Sequence, residues 1–140
     1  MSRKEARESA MKLLFEINYK SEEIQEVLAD YFKENNTNAA EMEYISSIVS
    51  GTMNNIKDID KIIEVHSKGW KINRLAKIDL SVLRLAIYEI TKTDTPYSVV
   101  INEAVEIAKK YGTEKSGSFI NGILASIIKE EKIEQNSSLQ

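Results

Sequence analysis

The sequence predicts an all-α, single-domain bundle of about seven helices, and three observations carry that prediction. Apolar residues recur at the helical period in nearly every segment of the 140-residue chain. One proline and five glycines leave little material for tight-turned strands, which consume both. A chain of this length buries about two-thirds of its unfolded surface, enough for one core without disulfides or metal. With no cysteine there are no disulfides, thiolate ligands or cysteine nucleophiles.

The elements follow in order. Ser2 and Glu5 fit a capping box, in which the serine oxygen accepts from an amide and the glutamate reaches back. Ala6, Ala10, Leu13, Leu14 and Ile17 then form one apolar stripe. Ser21-Glu22-Glu23 supplies a cap and acids for a second helix carrying Ile24, Val27, Leu28 and Tyr31. Asn35 to Asn38 is a polar break with another cap. A third helix, about 39–56, turns Tyr44, Ile45, Ile48, Val49 and Met53 inward. Gly51 inside it costs about 1 kcal/mol against alanine, which points to close packing. Asp58 is placed to cap a short fourth helix with Ile59, Ile62, Ile63 and His66. Residues 67–73 read as a loop around Gly69 and Trp70.

The segment 77–91 is apolar nearly all round and reads as the central helix. Pro96 precedes a sixth helix, about 97–111, ended by Gly112 as a C′ residue of positive φ. The last helix, about 115–131, uses Phe119, Ile120, Ile123, Leu124, Ile127 and Ile128. The helical domain is thus expected over 1–131, with a polar flexible tail over 132–140.

No apolar run approaches the roughly 18 residues of a membrane span, and the amphipathic N-terminus does not read as a signal peptide. The expected compartment is the cytoplasm, with no membrane partner. Net charge is −3, which argues against a general nucleic-acid binder. Its distribution is uneven: residues 1–15 and 68–92 are basic, and the segment between them is strongly acidic. Such blocks permit a local surface for anions, though they also arise as ordinary solvated faces.

Each motif that could carry chemistry has a bland alternative. Gly112 to Ser118 resembles a phosphate loop superficially, but no lysine follows the second glycine and the segment joins two helices. Glu103 and Glu106 share a helix face without the histidines that a di-metal site requires, so a solvated acidic face is preferred. His66 reads as structural. Trp70, near Lys68 and Lys71, could stack on a base; a plug at the end of the bundle is the preferred reading. No nucleophile, base and orienter occur together, so no catalytic residue, metal or cofactor is expected. Arg3, Lys4 and Arg7 differ in kind. Arg3 and Arg7 are i, i+4 neighbours at a helix start, where guanidinium forks and free amides both suit phosphate. Three cations contribute only modest, salt-sensitive affinity, so such a contact needs help.

Several segments occur in the order and spacing of one family. They are the opening Ser2-Arg3-Lys4-Glu5-Ala6-Arg7, the central Val82-Leu83-Arg84-Leu85-Ala86-Ile87-Tyr88-Glu89, the stretch from Pro96 through Asn102-Glu103-Ala104 to Tyr111-Gly112, and Phe119-Ile120-Asn121-Gly122. Over about residues 2–131 the chain resembles the bacterial transcription antitermination factors of the NusB family. The resemblance implies a non-enzymatic RNA-binding adaptor. It would pair with NusE, a small-subunit ribosomal protein, bind single-stranded boxA RNA, and reach the elongation complex through NusE. It assigns RNA contact to Arg3, Lys4, Arg7, Lys115 and Phe119, and a NusE-facing surface to Asp79 and Val82. Lys115 stands where some members carry an acid, and Glu5 replaces a base found in richer arginine motifs. Some relatives form homodimers that mask the RNA surface, so a homodimer is a further expectation. Under this reading the pair Arg3→Ala and Arg7→Ala weakens RNA binding without unfolding the domain. The competing reading is a helical protein–protein interaction module without sequence-specific RNA binding.

Overall fold

The computed structural model describes the backbone of residues 2–20 and 23–138, and the side chains of residues 2–19 and 23–130. Among these residues seven α-helices follow in order: α1 Arg3–Lys20, α2 Ile24–Asn35, α3 Ala39–Asn54, α4 Ile56–His66, α5 Lys77–Lys92, α6 Tyr97–Tyr111 and α7 Ser116–Ser138. A 3₁₀ turn, Ile72–Arg74, lies between α4 and α5. The all-helical expectation holds.

Local chemistry explains most boundaries. The Glu5 amide donates to Ser2 Oγ at 3.1 Å, which starts α1. The Glu41 amide donates to Asn38 Oδ1 at 2.9 Å, which starts α3. Asn36 ends α2 in the left-handed region at φ 46°, where asparagine is among the few tolerated side chains. The cap expected at Ser21-Glu22 lies outside the described residues. Glu23 holds the N-cap position of α2 without a side-chain bond.

Two expected caps are corrected. Asp58 does not cap α4; it falls in the first turn of a helix that begins at Ile56, where its charge complements the helix dipole. Gly112 does not adopt positive φ; it sits at φ −95° and its amide donates to the Ala108 carbonyl at 2.8 Å. Glycine is needed there for space. A Cβ would overlap Ser116 Oγ and come within 2.8 Å of the Ala108 carbonyl oxygen. Gly112→Ala is therefore expected to destabilise the domain by about 1–3 kcal/mol, the cost of overpacking, read as a lower urea midpoint. Gly51 meets the close packing expected of it, because the Tyr88 ring occupies the place of its Cβ.

The core is built around α5, which packs against α1, α3, α4, α6 and α7. Leu80, Leu83, Leu85, Ala86, Ile87 and Ile90 are all buried, as is the α1 stripe from Ala6 to Ile17. Fully burying one such leucine or isoleucine contributes roughly 1.5–3 kcal/mol. Arg84, also on α5, donates to both Asp60 oxygens at 2.9 and 2.8 Å and clamps α4 to the centre. Two surface ion pairs bridge α1 and α6, which both pack on α5. Lys4 meets Glu106 at 2.6 Å and Glu8 meets Lys110 at 2.7 Å, so the two helices run parallel. The α7 backbone stays helical to Ser138, beyond the last apolar position of its stripe. No described helix is long and apolar enough to cross a membrane.

Candidate nucleic-acid interface

The three cations at the head of α1 have separate fates. Arg3 is exposed, and its guanidinium carbon lies 3.7 Å from the Tyr44 ring centroid, a cation–π contact that holds it at the surface. Lys4 is exposed and paired with Glu106, whose side chain is equally open. Such surface pairs contribute little, so a phosphate can displace the carboxylate. Arg7 is only 8% exposed, and its Nε donates to both oxygens of Glu89 at 3.0 and 3.1 Å. Arg7 is thus not on an open face with Arg3; it lies beneath, in a buried ion pair between α1 and α5. Burial pushes the Glu89 carboxyl above the usual carboxylate range, against the pull of Arg7, Thr95 and Arg3. Arg3, Arg7, Tyr44 and Glu89 together line a cleft of about 290 Å³.

The second group lies where α5 and α7 begin. Lys115, Phe119 and Asp79 line one cleft of about 230 Å³, with Trp70 and Arg74 on its walls. Lys115 is exposed and the Phe119 ring is half-buried. Asp79 is buried at 8% exposure, and its Oδ1 has no hydrogen-bond partner. Val82, in contrast, is 2% exposed and faces the interior beside Arg7, Leu85 and Ala104. It is a core residue and cannot itself touch a partner. The central helix is apolar nearly all round, and one position on it does not reveal which face is covered.

Several cations have no signal in the sequence. Lys110 pairs with Glu8, and Lys12 stands 5.1 Å from the Tyr111 ring centroid. Lys109 lays its aliphatic stem over Gly117. These residues carry positive charge from the middle of α1 to the α6–α7 turn, towards Lys115. Only the pairing of α1 with α6 brings them together, and no spacing in the sequence announces that pairing. Trp70 is also corrected: at 54% exposure it does not plug the bundle. His66 is structural as expected, held by Ser126 at 2.7 Å and Glu130 at 2.8 Å. Glu103 and Glu106 do not form one solvated acidic pair: Glu106 binds Lys4, whereas Glu103 Oε2 is buried without a partner. No described cluster of His, Asp and Glu could hold a metal ion.

One pH effect follows from this surface. Hydrogen bonds from Lys110 and Tyr111 hold the Glu8 carboxyl below the usual range. A depressed folded-state value means stability that is complete at neutral pH and is lost as pH falls from the ordinary carboxylate range through the folded value. Glu8→Gln is expected to flatten that part of the acid limb, measured as thermal midpoint against pH.

The model of the NusB family matches residues 4–129. The chain belongs to the NusB family. The transcription antitermination protein NusB of Acetivibrio thermocellus is 45% identical over 130 residues, 92% of this chain and 90% of that protein. Among solved structures, T. maritima NusB superposes with a TM-score of 0.85 at 37% identity, covering 96% of this chain and 98% of that one. A crystal structure of the antitermination factors NusB and NusE in complex with double-stranded RNA matches at TM-score 0.83 and 34% identity, over 91% of this chain and 96% of that one. In this NusB bundle the two groups sit at opposite ends of α5. Asp79 and Glu89 are ten residues apart, which at 1.5 Å per residue separates them by roughly 15 Å along the helix.

Proposed function

We propose that this chain is an RNA-binding antitermination adaptor that pairs with NusE and holds single-stranded boxA-type RNA on the edge running from Arg3 and Lys4 to Lys115 and Phe119. The observation that carries the reading is the cleft in which the exposed Lys115 stands beside the half-buried Phe119 ring. Unpaired bases stack on such rings, and lysines take the adjoining phosphates. Arg7 and Val82 support the two surfaces from within. The role places the protein in the cytoplasm, joined to the elongation complex through NusE. In the free state a homodimer covering the RNA surface is part of the same reading; light scattering across concentrations tests it, and a monomer throughout removes it.

A net charge of −3 gives a physical reason for the partner: a second, basic protein extends the phosphate track and releases more counterions. The decisive test is fluorescence anisotropy with a boxA-type single strand, a scrambled strand and a duplex, with and without NusE, at two salt concentrations. Selective binding of the boxA strand that tightens with NusE is the expected result. No selectivity in either condition would replace the reading with a protein–protein module.

Asp79 supplies the partner-facing half. It is 8% exposed and lines the open cleft beside Lys115, so a donor from a docked protein meets its carboxylate from that side. Asp79→Ala is expected to lower NusE affinity by about tenfold or more, in line with a hydrogen bond to a charged group, and to leave folding intact. Calorimetric titration with NusE checks this, and an unchanged affinity takes Asp79 out of the interface.

A further inference from the structure

We propose that Trp70 is a second base-stacking platform, receiving an unpaired nucleobase of the same single strand that Phe119 receives. The inference rests on the RNA-binding reading above and adds to it a residue of this chain.

Trp70 and Phe119 together line two clefts. One, of about 230 Å³, holds Lys115 and Asp79; the other, of about 420 Å³, lies against His66 and Gly122. The two rings therefore stand where the clefts join. The floor of the larger cleft is open, since nothing lies within 4 Å of a Cβ built on Gly122.

The ring is displayed by a constrained turn. Lys68 at φ 52° and Gly69 at φ 90° are both left-handed, and a lysine there is strained. The buried Ser67 holds the turn shut: its Oγ donates to the Trp70 carbonyl at 2.6 Å, and the Trp70 amide donates to the Ser67 carbonyl at 3.3 Å. An indole that is more than half exposed on so fixed a backbone is preorganised for contact.

Charge selects the occupant. Lys68, Arg74 and Lys115 line the two clefts with the rings, are exposed, and make no ion pair among the described residues. A polyanion with flat, apolar bases satisfies both the rings and the cations. A basic protein surface satisfies the rings and Asp79 but leaves the cations unpaired.

Trp70 is the sole tryptophan, so intrinsic fluorescence reads its surroundings directly. Titrating the full chain with a boxA-type single strand should quench that emission along the same curve as the anisotropy. Trp70→Ala should weaken RNA binding about tenfold, as removal of a stacking ring does, and Trp70→Phe should restore most of the loss. The exposed ring contributes little packing, so the thermal midpoint of Trp70→Ala should match the parent. Emission of the parent that RNA leaves unchanged, with unchanged affinity in Trp70→Ala and loss in Arg3→Ala or Phe119→Leu, overturns this inference and leaves the RNA reading standing. Loss in none of the variants overturns the RNA reading as well. An emission change with NusE alone, and NusE affinity lost in Trp70→Ala at constant RNA affinity, makes the ring a protein contact and also overturns the inference.

Discussion

Arg7→Ala is expected to destabilise the domain by about 3–5 kcal/mol, because it leaves the buried Glu89 carboxylate without its ion-pair partner. At roughly 3 °C per kcal/mol for a chain of this size, the thermal midpoint should fall by about 10 °C or more. The pair itself is not a strong net stabiliser, since two desolvated ions repay little more than their burial costs. Arg7→Met with Glu89→Met should therefore recover most of the lost stability. The double variant also separates two roles. If it folds and binds RNA as the parent does, Arg7 acts by shaping the head of α1. If Arg7→Ala keeps its midpoint and still loses RNA, Arg7 leaves its carboxylate to touch the strand. A paired test of Arg3→Ala with Arg7→Ala conflates these outcomes, contrary to the sequence-based expectation that both substitutions leave the fold intact.

The second large effect concerns RNA. Phe119→Leu keeps an apolar side chain against the core and removes the aromatic face, so it isolates stacking from packing. Loss of one stacked base is worth about 1–3 kcal/mol, and the affinity should fall roughly tenfold or more. Arg3→Ala with Lys4→Ala should act differently. It should weaken all RNA sequences alike and make the salt dependence shallower by about 0.7 in slope for each phosphate left without its cation. Both variants should melt with the parent, since Arg3 and Lys4 are exposed. Anisotropy over a salt series reads slope and selectivity in one experiment. A Phe119→Leu variant with full affinity removes that ring from the interface.

The contrast between Arg3 and Arg7 shows what is legible in the sequence. Helical spacing correctly places both on one side of α1, and both line the same cleft. It cannot separate them, because the partner that buries Arg7 lies 82 positions away on α5. Caps at Ser2 and Asn38 are legible because their chemistry is complete within four residues. The Gly112 turn is not, because its constraint is a tertiary overlap with Ser116, whereas a conformational preference is all that the local sequence offers. Trp70 is hidden for a related reason: the left-handed turn at Lys68 that lifts it outward is rare for lysine and leaves no compositional mark. The all-α bundle itself is legible because its amphipathic stripes carry the helical period one after another.

The burial of α5 on all sides has one more consequence. A helix gripped by five others cannot bend or slide, so the separation between its two ends is constant. Two weak anchor points on a rigid spacer make the second binding event intramolecular, with an effective concentration set by the strand between them. The conformational entropy of closing that span then falls on the RNA. Lengthening the nucleotide spacer between the two bound segments should change avidity while every anchor stays as it is, which makes the bundle a gauge of spacer length.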